Sequence, residues 1–98
     1  MNESNPTAPS VHHNAVTQRF ELVLEDHRSE LAYVIDGGRV TFSHTFVPPA
    51  LRGRGVAEQL VRAALAWARV EKKHVVPACS YVAKFITTHP EFRDLLAD

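Results

Sequence analysis

A change of hydrophobic period at Pro48-Pro49 constrains the fold of this chain more than any other feature of its sequence. Before the two prolines, apolar and polar residues alternate, which is the pattern of β-strands with one buried face. After them, apolar residues from Val56 to Ala68 recur at the spacing of one helix face. Because proline cannot donate a hydrogen bond to a sheet, the pair ends a strand. The sequence therefore predicts strands first, followed by a helix that packs on them.

The segments before Pro48 are predicted to form an antiparallel meander of three strands. The first two carry apolar residues at every second position: Phe20, Leu22 and Leu24, then Leu31, Tyr33 and Ile35. Asp36-Gly37-Gly38 supplies the positive φ angles of a tight hairpin. The third strand is predicted from Arg39 to about Val47, and these of its side chains share one face: Val40, Phe42, His44 and Phe46.

The second half of the chain is predicted to continue with a helix, a strand and two further helices. After the first helix comes a short strand at 74–78, then a helix at 81–88 with Ser80 as its N-cap. Pro90 opens a last short helix. The order β-β-β-α-β-α-α predicts an α+β fold, in which a three-strand meander precedes α-β-α-α and the helices pack on a mixed sheet.

The length of the chain predicts a single domain, because 98 residues leave room for one core only. Residues 1–16 are rich in Asn, Ser, Pro and His and lack a hydrophobic period, so we interpret them as a flexible tail in front of a domain at 17–98. His12 and His13 are interpreted as solvated residues of that tail. We expect no metal site.

Charge and composition narrow the class of function. Lys and Arg together number 11, as do Asp and Glu, so the formal net charge is zero, which argues against a nucleic-acid partner. No apolar run reaches the length of a signal peptide or the roughly 20 residues of a membrane span, so we expect no membrane partner. Cys79 is the only cysteine, which excludes an intrachain disulfide and fits a reducing compartment. We expect a soluble, cytoplasmic protein.

The strongest chemical signal is Arg52-Gly53-Arg54-Gly55, between a predicted strand and a predicted helix. The start of a helix exposes amide groups that lack intrahelical partners and carries partial positive charge, so it binds phosphate. The glycines let a phosphate approach the backbone, and the arginines add donors. A flexible basic turn is the alternative interpretation. The motif is neither a Walker A loop nor a Gly-x-Gly-x-x-Gly turn, since Glu58 occupies the third glycine position.

Four blocks of sequence carry a family resemblance: His44-Thr45-Phe46-Val47-Pro48, Arg52-Gly53-Arg54-Gly55-Val56-Ala57 with Leu60-Val61, Pro77-Ala78-Cys79-Ser80-Tyr81-Val82, and His89-Pro90-Glu91-Phe92. In this order they resemble the short, single-domain branch of the GNAT superfamily of acetyltransferases, over about residues 20–96. The resemblance implies a truncated GNAT fold that lacks the early helices of longer members. It also implies an N-acetyltransferase that moves an acetyl group from acetyl-CoA to a primary amine.

The resemblance further implies where coenzyme A lies. Its pyrophosphate would rest on the phosphate loop, formed by Arg52, Gly53, Arg54, Gly55, Val56 and Ala57. Its pantetheine arm would pair with the preceding strand along Thr45, Phe46 and Val47. In this branch the counterparts of His44 and Cys79 are the usual candidates for the reacting end. This chain departs from the family at Phe46, where an acidic residue that serves as general base is common.

The chemistry of amine acetylation gives these candidates their roles. An amine with a pKa of about 10.4 must lose its proton, and with Phe46 in place His44 is the best base by residue type. The alternative is that His44 is a buried core histidine. Cys79 precedes a helix start that favours a thiolate, which would attack the thioester; its thiol form would instead protonate the departing thiolate. The alternative is a small buried hydrophobe, and direct attack by the amine is our default route.

The start of the helix after Cys79 completes the predicted site. Ser80 and Lys84 are predicted to contact the cofactor, Lys84 through its phosphates, and Tyr81 is a further candidate proton donor. Two other functions stay open. One is a non-catalytic acyl-CoA-binding module, which Phe46 favours. The other is an adaptor for nucleic acid or another phosphate ligand, built on Arg52, Arg54 and Arg62. The acceptor is either a small amine or a lysine of a peptide or protein.

Overall fold

The computed structural model describes residues 10–97, which form one five-stranded sheet with helices packed on it. The strands lie side by side in chain order: β1 (His12–Asn14), β2 (Arg19–Leu24), β3 (His27–Asp36), β4 (Arg39–Phe46) and β5 (His74–Val76). The first four are antiparallel to their neighbours, and β5 runs parallel to β4. The prediction of an α+β fold with a mixed sheet is confirmed.

Two α-helices and two 3₁₀ segments connect and follow these strands. α1 (Val56–Val70) crosses from β4 to β5, and α2 (Ser80–Thr88) follows β5. The 3₁₀ segments are Pro49–Leu51 and Pro90–Leu95, so the last predicted helix has the tighter 3₁₀ geometry. The N-cap of α2 is Cys79 and not Ser80, which is the first helical residue. No helix within residues 10–97 is both long and apolar enough to cross a bilayer.

The apolar stripe of α1 builds the core. Its residues at helical spacing are buried: Val56, Leu60, Val61, Ala64, Leu65 and Ala68. They form one cluster with the inward side chains of β2 to β5 and with three buried residues of α2: Val82, Phe85 and Ile86. Burial of this stripe contributes hydrophobic free energy that attaches the helix layer to the sheet.

The predicted flexible tail is wrong for His12–Asn14, which form β1 at the edge of the sheet. The ring of His13 stacks on Phe20 with centroids 4.2 Å apart, and its Nε2 shares a 2.6 Å hydrogen bond with the hydroxyl of Tyr33. Trp67 meets the same ring edge-on at 5.0 Å. A strand of three residues is too short to show a hydrophobic period. Contacts with residues distant in sequence hold it in place. Residues 1–9 lie outside the described part of the chain.

A β-bulge in β4 decides which side chains face the helices. Tyr33 pairs with Phe42 and the preceding Ala32 pairs with His44, so Ser43 is an extra residue in β4. The alternation of faces shifts by one residue after it. Phe42 is buried, whereas His44 is exposed and Thr45 points to the helix side.

The prediction that Val40, Phe42, His44 and Phe46 share one face is therefore wrong beyond Phe42. Phe46 is 43% exposed, and it lies opposite Glu30 on the sheet face that the helices leave uncovered. The interpretation of His44 as a buried core histidine is wrong for the same reason. A single strand sequence cannot reveal the shift, because a bulge is a property of two paired strands.

The sheet also opens between β4 and β5. The two strands pair only from Arg39 to Thr41, opposite His74–Val76. One more contact follows, in which the amide of Cys79 donates to the carbonyl of Phe42 at 2.8 Å. Beyond it the two segments diverge, and the β5 side of β4 from Ser43 onward faces a gap.

Candidate functional site

A cleft of about 400 Å³ lies between the end of β4 and the first turn of α1. Its walls come from the last residues of β4, the following loop and the starts of both helices: Thr45, Phe46, Val47, Leu51, Arg52, Gly53, Gly55, Val56, Ala57 and Tyr81. This set contains every predicted cofactor-binding residue except Arg54, Ser80 and Lys84. The structure thus brings the strand and the phosphate loop together around one opening.

The phosphate loop has the backbone geometry that its glycines allow. Gly53 and Gly55 have φ angles of 79° and 77°, in the left-handed region where side chains are strained. A Cβ added at either glycine would meet no atom within 4 Å, so the space in front of the loop is open. Gly55 is the N-cap of α1 and offers no capping side chain, which leaves the first amides of the helix available to an anion.

The two arginines of the loop point to different places. Arg52 lines the cleft, and its Nε donates to the carbonyl of Val47 at 3.1 Å, which ties the loop to the end of β4. Arg54 lies outside the cleft and donates two hydrogen bonds to Glu25, at 2.9 and 3.0 Å. These hydrogen bonds and the charge of Arg54 lower the pKa of Glu25. Sequence reasoning missed Glu25, because it lies 29 positions away from Arg54 in the chain.

Cys79 lies directly behind the wall of the cleft. Its Sγ is 3.2 Å from the hydroxyl of Thr45, whose side chain lines the cleft. Burial raises the pKa of the Cys79 thiol, but hydrogen bonds with Thr45 and with backbone groups of Val82 and Tyr81 outweigh burial and hold that pKa below its ordinary value. Its position as N-cap of α2 adds the favourable field of a helix start. The thiol is therefore disposed to ionise.

His44 and Tyr81 lie in different environments, the first outside the cleft and the second in its wall. His44 is exposed and lies opposite Ala32, on the sheet face that the helices leave uncovered, so it does not line the cleft. Tyr81 lines the cleft from the first turn of α2. Burial, and then the charge of Glu58, raise the pKa of Tyr81, so its phenol stays protonated at neutral pH.

The remaining predicted residues lie along α2 and on α1. Ser80 is exposed at the start of α2, and Lys84 lines a second cavity next to the cleft. Arg62 is bound to Glu58 at 2.9 Å and its guanidinium lies over the ring of Phe85. With Arg54 paired to Glu25 as well, two of the three arginines on which a nucleic-acid adaptor would depend are held in ion pairs. Within residues 10–97 no three His, Cys, Asp or Glu side chains are grouped as a metal site.

Leu51 is the cleft residue that sequence reasoning missed. It belongs to the 3₁₀ turn after Pro48 and is fully buried, where it forms the apolar floor next to Val56. Its signal in the sequence was weak, because one apolar residue between two prolines and the phosphate loop has no period. The turn itself forms because the amide of Leu51 donates to the carbonyl of Pro48 at 2.9 Å.

The fold and the cleft define a class of protein in which a split sheet opens onto the uncapped start of a helix. The sequence model of the GCN5-related N-acetyl-transferase family matches residues 19–95. The chain therefore belongs to the family of GCN5-related N-acetyltransferases, which is a class of acetyltransferases.

Similar proteins agree with this assignment. The chain is 33% identical to Protein NATD1 of Bos taurus over 96 residues, which cover 89% of this chain and 85% of the relative. It is 34% identical to Protein NATD1 of Mus musculus over 83 residues, which cover 82% of this chain and 76% of the relative. A GCN5-like protein of Staphylococcus aureus, solved by NMR, superimposes with a TM-score of 0.71 at 20% identity, over 90% of this chain and 87% of its own. At that identity the likeness concerns the fold.

Proposed function

We propose that this protein transfers an acetyl group from acetyl-CoA to a primary amine, within a domain spanning residues 17–98. The observation that carries the proposal is that β4 and β5 stop pairing beyond Thr41, and that the end of β4 from Thr45 to Val47 lines one cleft with the open phosphate loop. An extended ligand with an anionic end fits such a site, since one end meets helix amides and the other meets an unpaired strand edge. Family membership supports the same chemistry.

Different residues of the cleft would hold different parts of coenzyme A. The first amides of α1 and the guanidinium of Arg52 would hold the pyrophosphate. The β5 side of β4 beyond the bulge, along Thr45 to Val47, would hold the pantetheine arm by backbone hydrogen bonds, as an added strand is held. Leu51 and Val56 give the cleft an apolar floor. When bound, acetyl-CoA supplies the thioester that the amine attacks.

His44 is assigned the removal of the proton from the amine. A primary amine has a pKa of about 10.4 and is protonated at neutral pH, so an acceptor for its proton is required. His44 lies beside Thr45 in β4 and is exposed on the uncovered face of the sheet. An amine that approaches from that face meets His44 before it reaches the gap. The open face suits a small amine or a lysine side chain of a peptide or protein.

Tyr81 is assigned the return of a proton to the departing thiolate of coenzyme A. It lines the cleft, and burial together with Glu58 keeps its phenol protonated. Cys79 is the second candidate for the reacting end, because its acidic thiol touches Thr45 of the cleft wall. Direct attack by the amine needs no bond to Cys79 and stays our default route. We propose a cytoplasmic location, since a free cysteine stays reduced there.

One observation favours a second function, an acyl-CoA-binding module without catalysis. Among the described residues that line the cleft, none carries a carboxylate or an imidazole, and Phe46 stands at the wall. Such a module would bind acetyl-CoA through the same loop and would release no coenzyme A in the presence of amines. The two functions therefore share the cleft and differ in the role of His44.

The binding step is tested by calorimetric titration of acetyl-CoA and CoA into the wild type and two variants, Gly55→Asp and Gly55→Asn. Asp and Asn have nearly the same shape and both tolerate a positive φ, so the pair differs in charge alone. We expect Gly55→Asp to lose far more affinity than Gly55→Asn, because its carboxylate faces the pyrophosphate. Gly37→Asp, at a hairpin glycine with a φ of 60°, controls for the effect on folding.

Failure of the folded wild type to bind either ligand would contradict the proposal and would favour the alternative interpretation of the phosphate loop as a basic turn. Equal losses in Gly55→Asp and Gly55→Asn would contradict the position assigned to the pyrophosphate. Circular dichroism of each variant shows that the protein titrated is folded.

A further inference from the structure

The turn between β2 and β3 places two side chains in a backbone conformation that favours glycine. Leu24 pairs with His27, so Glu25 and Asp26 form a two-residue hairpin loop. Their φ angles are 52° and 64°, in the left-handed region. Asp adopts this region more readily than Glu does, and hairpin loops of this kind favour Asn-Gly or Asp-Gly. The backbone at Glu25 is therefore strained, and such strain is found where a side chain has a function.

The side chain of Glu25 holds Arg54 of the phosphate loop. Both carboxylate oxygens accept hydrogen bonds from the guanidinium, at 2.9 and 3.0 Å, in the paired geometry that arginine also offers to a phosphate. These hydrogen bonds and the charge of Arg54 lower the pKa of Glu25, so its carboxylate is charged at neutral pH. The carboxylate thus occupies the guanidinium in the way that an anionic ligand would.

The ion pair lies where a ligand of the phosphate loop can compete with it. Arg54 stands between Gly53 and Gly55, and within residues 10–97 no backbone hydrogen bond ties Gly53 or Arg54 to the sheet. The side chains of Arg54 and Glu25 are 41% and 59% exposed, and exposed ion pairs contribute little to stability. A pyrophosphate carries more charge than one carboxylate and offers arginine the same pair of oxygens. The pair can therefore be exchanged for a contact with a ligand.

We propose that Glu25 competes with the anionic ligand for Arg54 and thereby sets how tightly the phosphate loop holds that ligand. The inference rests on the proposed function, because the competing group is the pyrophosphate of acetyl-CoA or of CoA. The cost of separating Arg54 from Glu25 offsets part of the free energy gained at the loop. Donor and product carry the same pyrophosphate, so Glu25 weakens the binding of both, and weaker binding of CoA speeds its release after the transfer. Glu25 determines affinity and is not a catalytic residue.

The test is a calorimetric titration of acetyl-CoA and CoA into the wild type, Glu25→Gln and the matched control Asp26→Asn. Each variant removes one negative charge from the same turn, but among residues 10–97 Glu25 has an ion-pair partner and Asp26 has none. We expect Glu25→Gln to bind both ligands about fivefold tighter than the wild type, the upper end of what an exposed ion pair contributes. Asp26→Asn should stay within about twofold of the wild type, because salt screens an exposed charge.

Arg54→Gln separates competition for the guanidinium from any other effect of the turn. If Glu25 acts through Arg54, adding Glu25→Gln to Arg54→Gln should leave the affinity unchanged, and a gain that persists in this background would overturn the inference. Equal gains in Glu25→Gln and Asp26→Asn would overturn it, because the charge of the turn would then act without the pair.

An unchanged or lower affinity of Glu25→Gln, with circular dichroism that shows a folded protein, would also overturn the inference. The pair would then hold the loop ready for the ligand and would not compete with it. In each of these outcomes the wild type still binds acetyl-CoA, so the proposed function stands. Failure of the folded wild type to bind either ligand would overturn the proposed function together with this inference.

Discussion

Replacing Thr45 by valine tests the environment of Cys79, because valine keeps the shape of threonine and removes its hydroxyl. That hydroxyl lies 3.2 Å from Sγ and is the largest of the contacts that lower the pKa of the thiol. In Thr45→Val the pKa of Cys79 should therefore rise. Since Cys79 is the only cysteine of the chain, any thiol reagent reports on it alone.

The size of the effect follows from the energy of the lost hydrogen bond. A hydrogen bond to a charged group contributes about 1.5–3 kcal/mol, and we take the lower end because Cys79 is half-exposed. The fraction of thiolate at neutral pH should then fall about tenfold, since about 1.4 kcal/mol is a factor of ten. A more basic thiolate is a better nucleophile, by about threefold for such a change. The net rate at neutral pH should fall about threefold.

The assay is the reaction rate with an aromatic disulfide between pH 5 and 10, followed by the colour of the released thiolate. At neutral pH the wild type should react faster, and at high pH, where both proteins are fully ionised, Thr45→Val should react faster. Thr45→Ser keeps a hydroxyl and should follow the wild type. Superimposable profiles would refute the role of the hydrogen bond. A rate for Thr45→Val that is lower at every pH would show that the reagent reaches Cys79 less easily, and not that the pKa of its thiol has changed.

Two further predictions concern stability. Burial, and then the charge of His12, lower the pKa of His13 below its unfolded value of 6.5. Neutral His13 therefore contributes to the stability of the fold above pH 6.5, and this contribution is lost as the pH falls through the folded pKa. His13→Gln should therefore lose less stability than the wild type between pH 7 and 5 in urea titrations, and an equal loss would contradict this. Leu60→Ala, at a fully buried position of α1, should cost about 2–5 kcal/mol, and a cost under about 1 kcal/mol would contradict the packing.

The parts of the fold that depend on local chemistry were predictable from the sequence. The hairpin at Asp36 to Arg39 forms as predicted, with Asp36 opposite Arg39, although Gly37 at a φ of 60° is the one residue of this turn with a positive φ. The stripe of α1 is buried as its spacing predicts. The phosphate loop leads into a helix whose first turn is open, as a loop between strand and helix requires. Each of these depends on residues a few positions apart.

The parts that depend on distant partners were not predictable. The bulge at Ser43 exists only against β3, and it moves Thr45 to the helix side and His44 to the open face. The strand β1 is held by aromatic contacts with residues as far along the chain as Trp67. Arg54 turns away from the cleft because Glu25, in the turn after β2, accepts both of its hydrogen bonds. A pattern read along one segment carries no information about such pairs.

The bulge also matters for the candidate site. It lets β4 present Thr45 to Cys79 on the helix side while His44 and Phe46 face the open side. The donor thioester and the acceptor amine can therefore approach the gap from different faces of the sheet. A regular β4 would place His44 in the core beside Phe42, where no acceptor could reach it.

The most direct test of the central claim is the amine-dependent release of coenzyme A from acetyl-CoA by the wild type and by Gly55→Asp. Small amines and lysine-bearing peptides are offered separately, and the acetylated amine is identified by mass spectrometry. The account predicts equal amounts of coenzyme A and acetylated amine with the wild type, and no such release with Gly55→Asp. A wild type that binds acetyl-CoA but acetylates none of the amines would contradict the account and would favour a module that only binds acyl-CoA.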